Sequence, residues 1–146
     1  MRKSFLILFL LFGGVFELVG CADPYGACVK AGADIATGIA TAMQTVDATQ
    51  QNGYITPKEE LNVVGYLEYA NKADEAFLSC ASTAHTAKSV KGSYTACASA
   101  FSDSLNNPAE LDMIHVVNPA AQITVTSIVN TIVNSAGAIV SGLGGA

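Results

Sequence analysis

Three times after residue 50 a side chain able to cap a helix stands directly before proline: Thr56-Pro57, Asn107-Pro108 and Asn118-Pro119. Proline suits the first position of a helix, where its missing N–H would have no partner anyway, and it breaks a helix interior. In two of the three, a glutamate follows at the third helical position, Glu59 and Glu110, as a capping box requires. A chain punctuated in this way is constrained to a series of helices with defined starts.

Between those starts the apolar residues recur with a helical period. Cys28, Ala31, Ile35, Ile39, Ala42, Met43 and Val46 form one stripe, predicting a helix over residues 26–51 that Asn52-Gly53 terminates. Val63, Tyr66, Leu67, Ala70, Ala73, Phe77, Cys80 and Ala84 form a second, over 57–85, with Glu68 and Lys72 paired at (i, i+4) on the opposite face. Residues 86–93 read as a loop, and Tyr94, Cys97, Phe101 and Leu105 mark a third helix over 93–105. Asn107-Pro108 opens a short helix to 116, and Asn118-Pro119 a long one over 119–141. The expected fold is all-α: a small up-down bundle of four main helices plus a short connector helix, forming a single domain over 26–146.

No side chain ionises between Val116 and Ala146. Val125, Ile128, Val129, Ile132, Ala136, Ile139, Val140 and Leu143 line one face of this tail, and Thr124, Ser127, Asn130, Thr131, Asn134 and Ser141 the other. The alternation Ile123-Thr124-Val125-Thr126 suits a strand, but the helical period persists over many more residues. Such a helix either forms the fourth wall of a bundle or enters a membrane, where Asn134, Ala138 and Gly142 would offer a small-residue ridge. Hydroxyl and amide groups on successive turns are costly in hydrocarbon, so the bundle is expected, with a frayed end from Gly142.

From Cys21 onwards five lysines stand against eleven carboxylates and no arginine is present, a balance of −6. That charge repels phosphate backbones and anionic headgroups, which excludes nucleic-acid binding.

The chain opens with Arg2 and Lys3, followed by an apolar run from Phe5 to Phe16. The run has the length of a secretory signal and is short for a spanning helix. Glu17 interrupts it before Leu18-Val19-Gly20-Cys21. Over residues 1–21 only, this resembles the lipobox signal of bacterial lipoproteins, with Leu18, Val19, Gly20 and Cys21 fitting at every position. The resemblance implies removal of residues 1–20, acylation (palmitate among the chains) of Cys21, a lipidated tether over 21–25, and a membrane partner in the cell envelope. Ala22 rather than Asp follows the cysteine, which by the same resemblance implies the outer membrane over the inner. Secretory cleavage near Ala22 and an uncleaved anchor are the alternatives, and both also export the chain.

With Cys21 acylated, Cys28, Cys80 and Cys97 remain, and export makes one disulfide the default. Cys28 and Cys80 are equidistant from residue 54, and Cys80 and Cys97 from the loop at 88–89, so antiparallel hairpins bring all three to one level on inward faces. Cys80–Cys97 spans the shorter loop and is preferred; Cys28–Cys80 is the alternative.

No motif supplies a catalytic residue, a metal site or a cofactor site. The run Asn52-Gly53-Tyr54-Ile55-Thr56-Pro57-Lys58-Glu59 resembles half of an EF-hand loop, but Ala48 stands where that family needs its first ligand. Asp112 and His115 share a helix face without the further carboxylates a metal bundle needs, and His85 lies where an imidazole can bond the last helix carbonyls. Glu59-Glu60 and Asp74-Glu75 read as solvated helix charge. The expectation is a non-enzymatic, membrane-anchored envelope lipoprotein, a binding or structural module of unknown partner open to self-association. Alternatives are a membrane-active protein using helix 119–143, or a carrier of a small apolar ligand in a cavity lined by Tyr66, Phe77 and Phe101.

Overall fold

The computed structural model describes residues 23–144; residues 1–22, with Cys21, lie outside the described residues. The helices are α1 (Pro24–Gln51), α2 (Pro57–Thr86), α3 (Lys91–Leu105), the one-turn α4 (Pro108–Leu111) and α5 (Pro119–Gly144). No strand occurs among the described residues, and the fold is the expected all-α bundle.

Each helix start but one follows from a local bond. Thr56 and Glu59 close a complete capping box at α2. Asn107 Oδ1 accepts from the Ala109 N–H at α4, and Asn118 Oδ1 from the N–H groups of Ala120 and Ala121 at α5. Asp23-Pro24 uses the same device: the aspartate accepts from the Tyr25 N–H. The chain is therefore helical from Pro24, so Pro24 and Tyr25 of the expected 21–25 tether belong to the first helix. The exception is α3, whose N-cap Val90 makes no side-chain bond.

The four long helices alternate in direction, with α1 beside α2, α2 beside α3, α3 beside α5 and α5 beside α1. At 15 residues α3 is half the length of α2, at 30. It ends inside the bundle, where its last carbonyls have no helical partner. Two tyrosines of α2 supply donors: Tyr66 O–H to the Leu105 carbonyl at 3.2 Å and Tyr69 O–H to the Ser104 carbonyl at 3.1 Å. Below that point the connector closes the core. Val116 is buried, Leu111 and Ile114 pack partly against it, and the Val117 N–H donates to Glu59 Oε1 at 2.6 Å. Helix α4 stops at Leu111, short of the expected 116, because the connector must cross the bundle end rather than continue along it.

The apolar stripes of α1, α3 and α5 are buried as expected, apart from the half-buried Met43 and Val140. On α2 the buried line differs: Asp74 and Ala81 face inward, Ala73 is half-buried and Cys80 is exposed. The pair Glu68–Lys72 does not close; Lys30 and Asp34 on α1 do, at 3.0 Å between exposed groups. Helix α5 packs on α3 and α1 and stays helical through Gly144, past the expected fray at Gly142.

Gly32 of α1 packs against Leu78 of α2, where an added Cβ would lie 2.6 Å from Leu78 Cδ2 and 2.8 Å from its Cγ. Glycine in a helix interior otherwise costs about 1 kcal/mol relative to alanine. Gly32→Ala is expected to destabilise the domain by about 1 kcal/mol net, overpacking exceeding the propensity gain. In a Leu78→Ala background the same substitution is expected to stabilise. Urea unfolding of the four chains of this cycle measures the reversal.

Candidate functional site

Chemically distinctive side chains gather at the end of the bundle where α1 begins, α2 ends and α3 begins. Cys80 and Cys97 are at disulfide distance with their Cα atoms 5.8 Å apart, the preferred pairing. A bridge across a 17-residue separation stabilises by about 3 kcal/mol in the chain-entropy account. Cys28 is buried and outside this bridge, so the alternative Cys28–Cys80 is not formed.

Cys28 lies close enough to Tyr94, one turn before Cys97, to bear on its phenol. Burial first, then Asp23, Cys28 and Tyr25, raise the Tyr94 phenol above its ordinary value. The three cysteines thus share one end of the bundle, but Cys80 reaches Cys97 from the outer surface rather than from an inward face. His85 does not serve the helix carbonyls in the expected way: its ring stacks on Tyr25 with centroids 4.1 Å apart.

Charge is distributed unevenly along the bundle. In this half Lys30, Lys72, Lys88 and Lys91 stand with Asp23, Asp34, Asp74 and Glu75. At the far end Asp47, Glu59, Glu60, Asp103, Glu110 and Asp112 stand with Lys58. The net acidity of the chain belongs almost wholly to its far half.

Asp74 is the residue that pattern reading misplaced. It is 2% exposed on the inner face of α2, and its Oδ1 atom has no hydrogen-bond partner. Burial first, and the Glu75 charge second, push its carboxyl up to about 6 from an ordinary 3.8. The signal for this placement was present: positions 63, 67, 70, 74, 77, 81 and 84 alternate steps of four and three, the spacing of a buried seam.

At the far end the EF-hand-like run holds a hairpin turn. Gly53 takes φ +74°, Ile55 is buried, and the Glu59 carboxylate is occupied by protein donors. Its Oε2 accepts from the Thr56 N–H and hydroxyl, each at 2.7 Å, and its Oε1 from Val117. The Thr56 N–H first, then the Val117 N–H and the Thr56 hydroxyl, hold its carboxyl below the usual value. Asp112 and His115 do not share a helix face, since α4 ends before both. Among the described residues no group of three His, Cys, Asp or Glu side chains gathers around a point. Tyr66, Phe77 and Phe101, named as lining for a ligand cavity, are core instead: Phe77 and Phe101 stack at 5.3 Å and all three are buried.

Two measurements follow from these carboxylates. Folded Asp74 binds its proton more tightly than the unfolded chain does. It imposes no penalty below about pH 4, and stability falls as pH rises from there to about 6, by about 3 kcal/mol. Asp74→Leu is expected to recover about 2–3 kcal/mol at pH 7 and much less at pH 4, by urea unfolding at both. Glu59 acts with opposite sign: its contribution is present above its ordinary 4.5 and is lost as pH falls through its lower folded value. Glu59→Gln removes one acceptor oxygen, and hydrogen exchange is expected to show the Val117 amide losing protection while the α2–α3 amides keep theirs.

No family model, curated protein or solved structure matches this chain, so its functional reading rests on its own residues.

Proposed function

We propose that this chain is a non-enzymatic envelope lipoprotein, acylated at Cys21 and held at the outer membrane, whose helical bundle binds or organises a partner at that surface. The observation that carries the reading is the junction between address and domain. The lipobox-like Leu18-Val19-Gly20-Cys21 ends two residues before Asp23, the cap of the first bundle helix. A leader removed before Cys21 would leave the whole bundle with almost no linker. The balance of lysines and acids at that end, against the excess of acids at the far end, supports the same reading, because it lowers repulsion from anionic headgroups.

Among the described residues no arrangement of side chains favours catalysis. The buried aspartate lacks a nucleophile or base in hydrogen-bond contact, and the histidines are used in a ring stack or in the connector. Helix α5 has the length and a mean hydropathy of 1.5 that a membrane span requires, with one third of that window buried. Its docked stripe and its hydroxyl-rich outer face support the bundle over insertion.

The deciding measurement is the intact mass of the protein extracted from native membranes without reduction. The expected result is a chain beginning at Cys21 with added acyl mass and two hydrogens missing for one bridge. A soluble chain without acyl mass would overturn the proposal, and would give precedence to membrane activity of α5 or to ligand carriage.

A further inference from the structure

We propose that the loop between α2 and α3, residues 87–90, is a second membrane contact. It seats on the headgroup region of the bilayer that holds the Cys21 lipid, with Val90 at the headgroup–acyl boundary and Lys88 at anionic lipid phosphates. The inference rests on the lipid anchor proposed above and adds to it a face, an orientation and the residues that touch the lipid.

Position is the first argument. One residue, Ala22, separates Cys21 from Asp23, so the lipidated cysteine lies within about 7 Å of chain from the α1 cap. Asp23 in turn is near enough to Tyr94, in the first turn of α3, to shift its phenol. The 87–90 loop leads directly into that turn, so it shares the end of the bundle that the anchor draws to the bilayer.

The second argument is that two residues in this loop work against the stability of the domain. Lys88 occupies the left-handed region at φ +52°, where the Ser89 N–H donates to the Ala84 carbonyl to finish α2. Glycine is the ordinary choice there, since a Cβ strains that conformation. Val90 is the N-cap of α3, a place for serine, threonine, asparagine or aspartate; it makes no cap bond and leaves its side chain 78% exposed. A loop shaped for water would hold a glycine and a hydroxyl residue. This one holds a cation and an exposed aliphatic group within three residues, the pair that an anionic lipid interface accommodates.

Charge is the third argument. No carboxylate occurs between Ala76 and Ser102, the stretch that holds the loop, Lys88 and Lys91, while six carboxylates and one lysine occupy the far end. A bilayer drawn to the first and repelled by the second stands the bundle upright.

The protein contains no tryptophan, so one introduced indole reports on its own surroundings. The acylated chains V90W and L61W, the latter 71% exposed on α2 at the far end, are reconstituted in phosphatidylethanolamine–phosphatidylglycerol vesicles containing brominated lipids. V90W is expected to be quenched several-fold more by bromines near the headgroups, and L61W more by aqueous iodide. Equal quenching of the two on chains whose mass shows acylation would overturn this inference and leave the anchor standing. Chains without acyl mass would overturn the anchor, and the membrane-seated loop with it.

Discussion

A helix of 15 residues packed between neighbours of 30 and 26 must end inside the bundle, and the rest of the structure is arranged around that ending. The Leu105 carbonyl at the end of α3 is buried, and an unpartnered buried carbonyl costs free energy comparable to a lost hydrogen bond. Tyr66 and Tyr69, one turn apart on α2, deliver their hydroxyls to Leu105 and Ser104. Burial first and Tyr69 second push the Tyr66 phenol up to about 12, which keeps it a neutral donor across the physiological range. The space below is then filled by the connector, with Val116 buried and Val117 tied to Glu59. One carboxylate therefore holds both the start of α2 and the approach to α5.

Asp74 is the contrary element. A carboxyl group in an apolar seam, with an oxygen lacking any donor, is destabilised in its charged form, so its own contribution to stability falls as pH rises. The bundle tolerates it because the surrounding seam and the Cys80–Cys97 bridge supply stabilisation independent of that group. The two kinds of departure from local preference differ in where they occur. Asp74 is inside the core, whereas Lys88 and Val90 are on the surface beside the amino-terminal end, where a partner can reach them.

The misreadings of α2 share one cause. The spacing of Val63, Leu67, Ala70, Phe77, Ala81 and Ala84 marks the seam correctly, and Asp74 completes it. Weighing a carboxylate as solvated rotated the inferred face towards Ala73 and Cys80. At a buried charge composition and period disagree, and the packing follows the period. At α1 the omission was simpler: Asp23-Pro24 carries the signature read at three other places. The Asp112–His115 face failed for a different reason, since a helix start is written locally but its end there depends on where the connector must cross.

Helix starts, the bundle class, the burial of the charge-free tail's apolar stripe and the level shared by the cysteines were all legible in the sequence. Each depends on bonds within a turn or on residues equidistant from a hairpin. The tertiary structure decided that Glu59 reaches Val117 across 58 positions, and that the tyrosine hydroxyls serve a helix end rather than a ligand. Those outcomes depend on α3 being half as long as its neighbour. A length mismatch leaves backbone groups and core space to be satisfied by whatever lies opposite, and what lies opposite is fixed only when the helices pack.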